Sequence, residues 1–142
     1  MDRAVYEAMA AEEDRHWWFV GRRAVLSGLI GRRAAPPEDG RVLDMGCGSG
    51  GNMAMLSRYG DLEAIEYDAP ARDMAASRGI APVAAGGLPD GLHVDDGRFA
   101  LIGLFDVLEH IEQDVASLRT LGRKLTPDGR LVISVPALPW LW

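Results

Sequence analysis

A single cysteine, Cys47, stands in 142 residues, so no internal disulfide can form and the stapled scaffolds of small secreted proteins are excluded. Three histidines, His16, His93 and His110, are scattered without zinc-ligand spacing, and no metal is expected. No apolar run approaches the roughly 18 to 20 residues that a bilayer span needs. The N-terminal MDRAVYEAMAAEEDRHWW carries mixed charges from its start and lacks the apolar centre of a secretory signal. A cytoplasmic protein with no membrane partner is the expectation. Basic residues are outnumbered, 15 Lys and Arg against 21 Asp and Glu, for a formal net charge of -6. A phosphate-backbone partner needs clustered cations, so no nucleic acid is expected, and the pairs Arg22/Arg23 and Arg32/Arg33 read as solvated helix faces. Internal repeats and low-complexity tracts are also missing.

What is present suits one globular domain: a single core's length of chain, 48% hydrophobic and 25% charged residues. Residues 3 to 31 read as helix, interrupted near HWWF, because good helix formers dominate and proline is absent. The segment GRRAAPPEDG, residues 31 to 40, is a linker by its glycines and prolines. Beyond it strands and helices alternate. RVLDM (41 to 45) is a strand, GNMAMLSRYG (51 to 60) a helix, LEAIEY (62 to 67) a strand, and PARDMAASRG (70 to 79) a helix with Pro70 in its first turn. IAPVAA supplies a third strand before a Gly-, Pro- and Asp-rich loop from 86 to about 98, and FALIGLFD (99 to 106) a fourth. Val115, Leu118, Leu121 and Leu125 recur at helical spacing, TPDG (126 to 129) turns the chain, and RLVISVP (130 to 136) is a fifth strand. Strands apolar on both faces, alternating with helices, predict an α/β fold: a doubly wound, mostly parallel sheet of about five strands with an N-terminal helical segment. The closing PALPWLW leaves two tryptophans whose exposure at a free end would be costly.

The segment GCGSGG follows the first strand, where a doubly wound sheet places its glycine-rich cradle. Its glycines permit positive φ and close ligand approach, and the helix start after it offers N–H donors. Gly46, Gly48 and Gly51 satisfy a dinucleotide fingerprint, while Gly46, Gly48 and Gly50 satisfy G-x-G-x-G, so the glycines alone leave the ligand open. Asp44 narrows the choice. A pyrophosphate here would meet a carboxylate two residues before the first glycine, with no Lys or Arg between residues 42 and 57 to offset it. A ligand with an ammonium, a sulfonium and one carboxylate fits better, its carboxylate on the backbone donors; S-adenosylmethionine has that arrangement. The competing reading of Asp44 is a cap on its own turn. Glu66, 20 residues past Gly46 at a strand end, suits the hydroxyls of an adenosine ribose, against the plainer reading of a solvated strand-end acid.

These stretches together resemble the class I S-adenosylmethionine-dependent methyltransferases. VLDMGCGSG (42 to 50) is similar to that family's first motif, AIEYD (64 to 68) to its ribose-binding strand end, FDVLEHI (105 to 111) to the segment after its fourth strand, and LTPDGRLVISVP (125 to 136) to its turn into the fifth. HWWFVGRR (16 to 23) resembles an N-terminal segment of a bacterial subset in which a helix closes over the cofactor. The resemblance implies a Rossmann-like core at 41–136, a helical lid at 1–35, and one domain over 1–142. It implies S-adenosylmethionine as cofactor, with Asp44, Gly46, Cys47, Gly48 and Gly50 around the methionine end, Glu66 on the ribose, Tyr67 beside the adenine and Asp106 at the pocket floor. Where family members often carry an acid for the adenine amino group, AAGGLPDG (84 to 91) leaves the contact to the backbone near Leu88 or to Asp90. The family sheet usually has two further strands, an antiparallel hairpin beside the fifth. Their absence by residue 142 carries the expectation of a fragment or truncated homologue, or of a homo-oligomer covering the strand-five edge.

Methyl transfer to a small molecule is the activity so implied. His110 is the candidate base for its proton, against the reading of a histidine that caps or packs before the helix at 112. Glu109 is a candidate for substrate contact, and Arg22 and Arg23 for the cofactor carboxylate. His16 with Trp17, Trp18 and Phe19 either shields the pocket or forms an amphipathic stripe. Cys47 reads as a small loop residue and not a nucleophile, since no base accompanies it. The alternatives are a non-catalytic or truncated binder of the same cofactor and an NAD-dependent oxidoreductase.

Overall fold

The computed structural model describes residue 8 and residues 10–137. The start of the expected N-terminal helix and the terminal tryptophans Trp140 and Trp142 lie outside these. Helix α1 is Trp17–Arg33. It is separated from the helical turn ending at Glu12 by a bend over 13–16, so the interruption falls just ahead of the aromatic cluster. His16 makes the new start: its Nδ1 accepts the Trp18 N–H at 3.3 Å. Arg32 and Arg33 occupy the last turn, where cations complement the helix dipole. Leu26 and Ile30, four residues apart, are the buried side of α1.

The core follows as β1 (Arg41–Met45), α2 (Met53–Leu56), β2 (Asp61–Glu66), α3 (Ala69–Ser77), β3 (Val83–Ala85), β4 (Phe99–Phe105), α4 (Asp114–Lys124) and β5 (Leu125–Ser134). All pairings are parallel, in the order β3-β2-β1-β4-β5. This is the doubly wound α/β sheet the alternation predicts. Strand β4 is buried at all seven positions, as a strand covered on both faces must be. Side chains alternate across β1. Val42 points into a cluster with Leu26, Ile30, Met53, Leu56 and Ala75 from α1, α2 and α3. Leu43 and Met45 point the other way, to Ile102, Leu104 and Leu121.

Three local expectations change. The helix over 51 to 60 shrinks to the four residues of α2 plus a 3-10 turn, Ser57–Tyr59. Gly50, Gly51 and Asn52 are poor helix formers, and Tyr59 is drawn to α1, its hydroxyl donating to the Ser27 carbonyl (2.7 Å) and accepting from the Ser27 hydroxyl (2.8 Å). Helix α4 buries Ser117, Thr120 and Leu121 while Val115 is exposed, so its inner face is rotated from the leucine stripe. TPDG does turn, but as a bulge inside β5: Leu125 pairs with Phe99 and Arg130 with Leu101. Among the described residues no strand lies beyond β5, whose Ile133 is exposed, as is the following Val135.

Candidate functional site

Strand β1 pairs with β2 on one side and β4 on the other, so the chain's winding reverses at β1. A crevice opens at the carboxyl ends of strands at such a point. A cavity of about 900 Å³ lies there. Its walls are the glycine loop after β1, the end of β2 (Glu66, Tyr67), the loop at Gly86–Leu88, the end of β4 (Phe105–Val107), His110, Ile111, and Glu13, Trp18, Phe19, Arg22 and Arg23 from the N-terminal segment. A cleft of about 680 Å³ at the opposite end of the sheet is lined by Arg32, Arg33, Arg41, Arg98 and Arg130, of which Arg41 and Arg98 are paired with Glu63.

The glycine loop is held by its own backbone. The Gly46 and Cys47 N–H groups donate to the Ile65 carbonyl at 2.8 and 3.1 Å, and the Gly50 N–H to the Cys47 carbonyl at 2.9 Å. The Gly48 N–H donates to Glu66 Oε2 at 2.8 Å, while Glu66 Oε1 takes the Asp68 N–H at 2.9 Å. Glu66 thus ties the loop to the start of α3. Each of its oxygens retains a second lone pair for a ligand hydroxyl. Gly50 has φ +87, and a side chain there would stand 2.9 Å from both Arg78 Cδ and Met53 Sδ. The loop carries glycine at this position because α3 packs directly on it.

Asp44 lies beneath the loop and does not line the cavity; it is 1% exposed, and its Oδ2 has no hydrogen-bond partner. Burial, with added repulsion from Glu66 and Glu13, pushes its carboxyl up to about 7. A buried acid left so poorly compensated stabilises a cation bound above it. Burial, then the charges of Asp44 and Glu66, push the Cys47 thiol far upward, so it is no nucleophile at neutral pH.

Of the sequence candidates, Gly46, Cys47, Gly48, Glu66, Tyr67, Leu88, Asp106 and His110 come together on one cavity wall or another. Gly50 packs behind the loop, and Asp90 and Glu109 are not among the lining residues. His110 is largely exposed at the mouth, its Nε2 4.0 Å from Glu109 Oε1. Asp106 has a left-handed backbone, φ 54, which Asp tolerates better than most residues. Its Oδ2 pairs with Arg22 Nη2 at 2.6 Å and its Oδ1 accepts the Ser134 hydroxyl at 3.1 Å. Arg22 is thereby neutralised, whereas Arg23, among the described residues, bonds to the neutral Glu13 carbonyl at 2.6 Å.

Glu13, Ser49 and Arg78 were not legible as site residues. Glu13 Oε2 accepts the Ser49 hydroxyl at 2.7 Å and Arg78 Nη2 at 3.0 Å, and Arg78 Nε donates to the Ser49 carbonyl at 2.6 Å. Thirty-six and sixty-five residues separate Glu13 from these partners, and no local pattern announces them. Arg78 also corrects the picture of a loop without cations: one does approach it, but already paired with Glu13 and, at 3.5 Å, with Asp14.

The sequence profile of a methyltransferase-domain family matches residues 18–142. Over 101 residues the chain is 30% identical to the chloroplastic tocopherol O-methyltransferase of Arabidopsis thaliana, a match over 66% of this chain and 29% of that protein. A Methanococcus maripaludis protein assigned as an S-adenosyl-L-methionine-dependent methyltransferase superposes with a TM-score of 0.82 at 16% identity, over 94% of this chain and 64% of its own. An S-adenosylmethionine-dependent methyltransferase of Aquifex aeolicus does so with a TM-score of 0.70 at 17% identity, over 94% and 72%. At such identities the structural likenesses speak for the fold. The chain spans under a third of the plant protein's length and about two thirds of the archaeal one's.

Proposed function

Because the chain belongs to the class I S-adenosylmethionine-dependent methyltransferase family, we propose that it binds S-adenosylmethionine in the 900 Å³ cavity and methylates a small molecule in the cytoplasm. One observation carries the choice of cofactor. Within the loop the Gly46 and Cys47 N–H groups are committed to Ile65 and that of Gly48 to the Glu66 carboxylate. A dianion beside these groups would be repelled by Glu66 and the buried Asp44, whereas a sulfonium cation gains from both. Glu66 takes the ribose hydroxyls, and Tyr67, Gly87 and Leu88 flank the adenine.

When bound, the cofactor supplies an electrophilic methyl group on sulfur. The chain's part is to hold the acceptor in line, exclude water and receive one proton. Trp18, Phe19, Val107 and Ile111 give the outer cavity an apolar wall, and the Arg22–Asp106 pair presents no net charge there. These features favour a neutral, largely apolar acceptor, consistent with the name of the plant relative. His110 Nε2 or Nδ1, open to solvent at the mouth, accepts the acceptor's proton and passes it to water.

The test is transfer of a radiolabelled methyl group into a metabolite extract, with titrations by S-adenosylhomocysteine and NAD. Labelled product and binding of the sulfur nucleoside alone are expected. Saturable binding of NAD with the sulfur compound ignored refutes the cofactor assignment; binding without any labelled product leaves a non-catalytic binder. Replacement of His110 by Gln is expected to lower kcat by about 10²- to 10⁴-fold without changing cofactor affinity.

A further inference from the structure

We infer that the outer face of helix α1 pairs with the same face of a second copy of this chain, the two helices running antiparallel. The inference stands on α1 itself and does not depend on the cofactor reading.

The polarity of α1 is inverted. At 3.6 residues per turn, Phe19, Arg22, Arg23, Leu26, Ser27 and Ile30 share the side turned to the rest of the molecule. Its polar members are satisfied there, Arg22 by Asp106 and Ser134, Arg23 by the Glu13 carbonyl and Ser27 by Tyr59. The outward side holds Trp17, Gly21, Ala24, Val25, Gly28 and Leu29, none of them charged. Trp17 is 74% exposed, Val25 72%, Trp18 55% and Leu29 42%. A helix on a protein surface turns its charged face to water, and a contiguous apolar strip in that place marks an association face.

The chemistry of the strip selects its occupant. Along α1 the strip has no acid or base before Arg32, whose guanidinium folds back over Gly28, 3.4 Å from where a side chain would begin. A second copy therefore meets no like charge across the middle. The two ends differ in sign. Glu12, Glu13 and Asp14 against Arg15 and Arg78 leave the entry to α1 acidic, while Arg32 and Arg33 make its last turn basic. Antiparallel pairing sets the basic end of each copy against the acidic entry and the exposed Trp17 ring of the other, and opposes the two helix dipoles. Parallel pairing would stack like charges. Gly21, Ala24 and Gly28 let the two backbones approach closely while Val25, at the midpoint, and Leu29 pack beside them. An anionic bilayer suits the strip less well, because the chain carries a net charge of -6 and acids stand beside the tryptophans.

Sedimentation of the full chain between about 1 and about 200 µM tests the pairing. A helix about 25 Å long offers less than the roughly 800 Å² per partner of a standard interface, so a monomer–dimer equilibrium with a dissociation constant on the order of 10 µM is expected. Val25→Glu is expected to leave monomer alone, and Arg32→Glu combined with Arg33→Glu to weaken the dimer about tenfold. Thermal unfolding close to that of wild type at the lowest concentration shows that the variants remain folded. Wild type that stays monomeric throughout overturns the inference, as does a dimer that survives Val25→Glu and so uses another surface, such as the edge of β5. A dimer indifferent to the two arginine reversals overturns the antiparallel arrangement. Monomer that floats with phosphatidylcholine vesicles, and loses this with Val25→Glu, would give the face to a lipid surface instead.

Discussion

Asp44→Asn tests the electrostatics under the glycine loop. In the cofactor-free protein burial, with added repulsion from Glu66 and Glu13, pushes the Asp44 carboxyl from the ordinary aspartate range up to about 7. Between roughly pH 4 and pH 7 the folded protein therefore keeps a proton that the unfolded chain has released, and stability falls as pH rises through that window. At about 1.4 kcal/mol per pH unit across that window, Asp44 costs the free protein on the order of 4 kcal/mol above pH 7 and almost nothing below pH 4. Asn has no charge to desolvate, though its buried amide loses about 1–3 kcal/mol if unpaired. Urea unfolding of both proteins from pH 5 to 8.5 is expected to show a stability difference that grows in favour of Asn as pH rises and levels off above about 7. The cationic cofactor prefers the ionised acid, so its wild-type affinity rises by up to about tenfold per pH unit toward 7 and then flattens, while the variant shows neither effect. A pH-independent difference, or one growing in favour of wild type, would refute the placement of an uncompensated acid beneath the loop.

Glu66→Gln removes the charge from bonds to the Gly48 and Asp68 N–H groups; stability is expected to drop by about 1–3 kcal/mol and affinity for any adenosine ligand at least tenfold, read by thermal unfolding and calorimetry. Gly50→Ala combines a left-handed backbone with a contact 2.9 Å from Arg78 Cδ and Met53 Sδ, for an expected loss of about 2–4 kcal/mol in denaturant unfolding. Gly79→Ala, also at positive φ but with nothing within 4 Å, isolates the backbone part and is expected to cost only about 1 kcal/mol. Equal losses at the two glycines would show that packing of α3 against the loop contributes nothing.

The order of strands and helices was legible because apolar runs such as FALIGLF declare themselves and because glycines and prolines punctuate the chain. Errors fell where distant contacts outweigh local preference. Tyr59 bonded to Ser27 shortens a helix, and the inner face of α4 is chosen by the sheet below it. The candidate site divides in the same way. Gly46, Gly48, Glu66 and Tyr67 belong to one strand-turn-helix-strand unit, so their spacing in sequence fixes their spacing in space. Glu13, Arg22 and Arg23 reach the same cavity, and Arg78 braces Glu13 from behind the loop, from elements whose docking no local pattern encodes.

By itself, the sequence determined the parallel α/β architecture, the glycine cradle at the end of β1 and the acids at the ends of β1 and β2, because each of these depends on neighbours only a few residues away. Only the tertiary structure decided how the charges pair. It spends Arg22 on Asp106, brings Arg78 to Glu13 above the loop, and leaves Asp44 buried without a full set of partners, because Coulomb energies depend on distances through the folded molecule and on the water excluded between them.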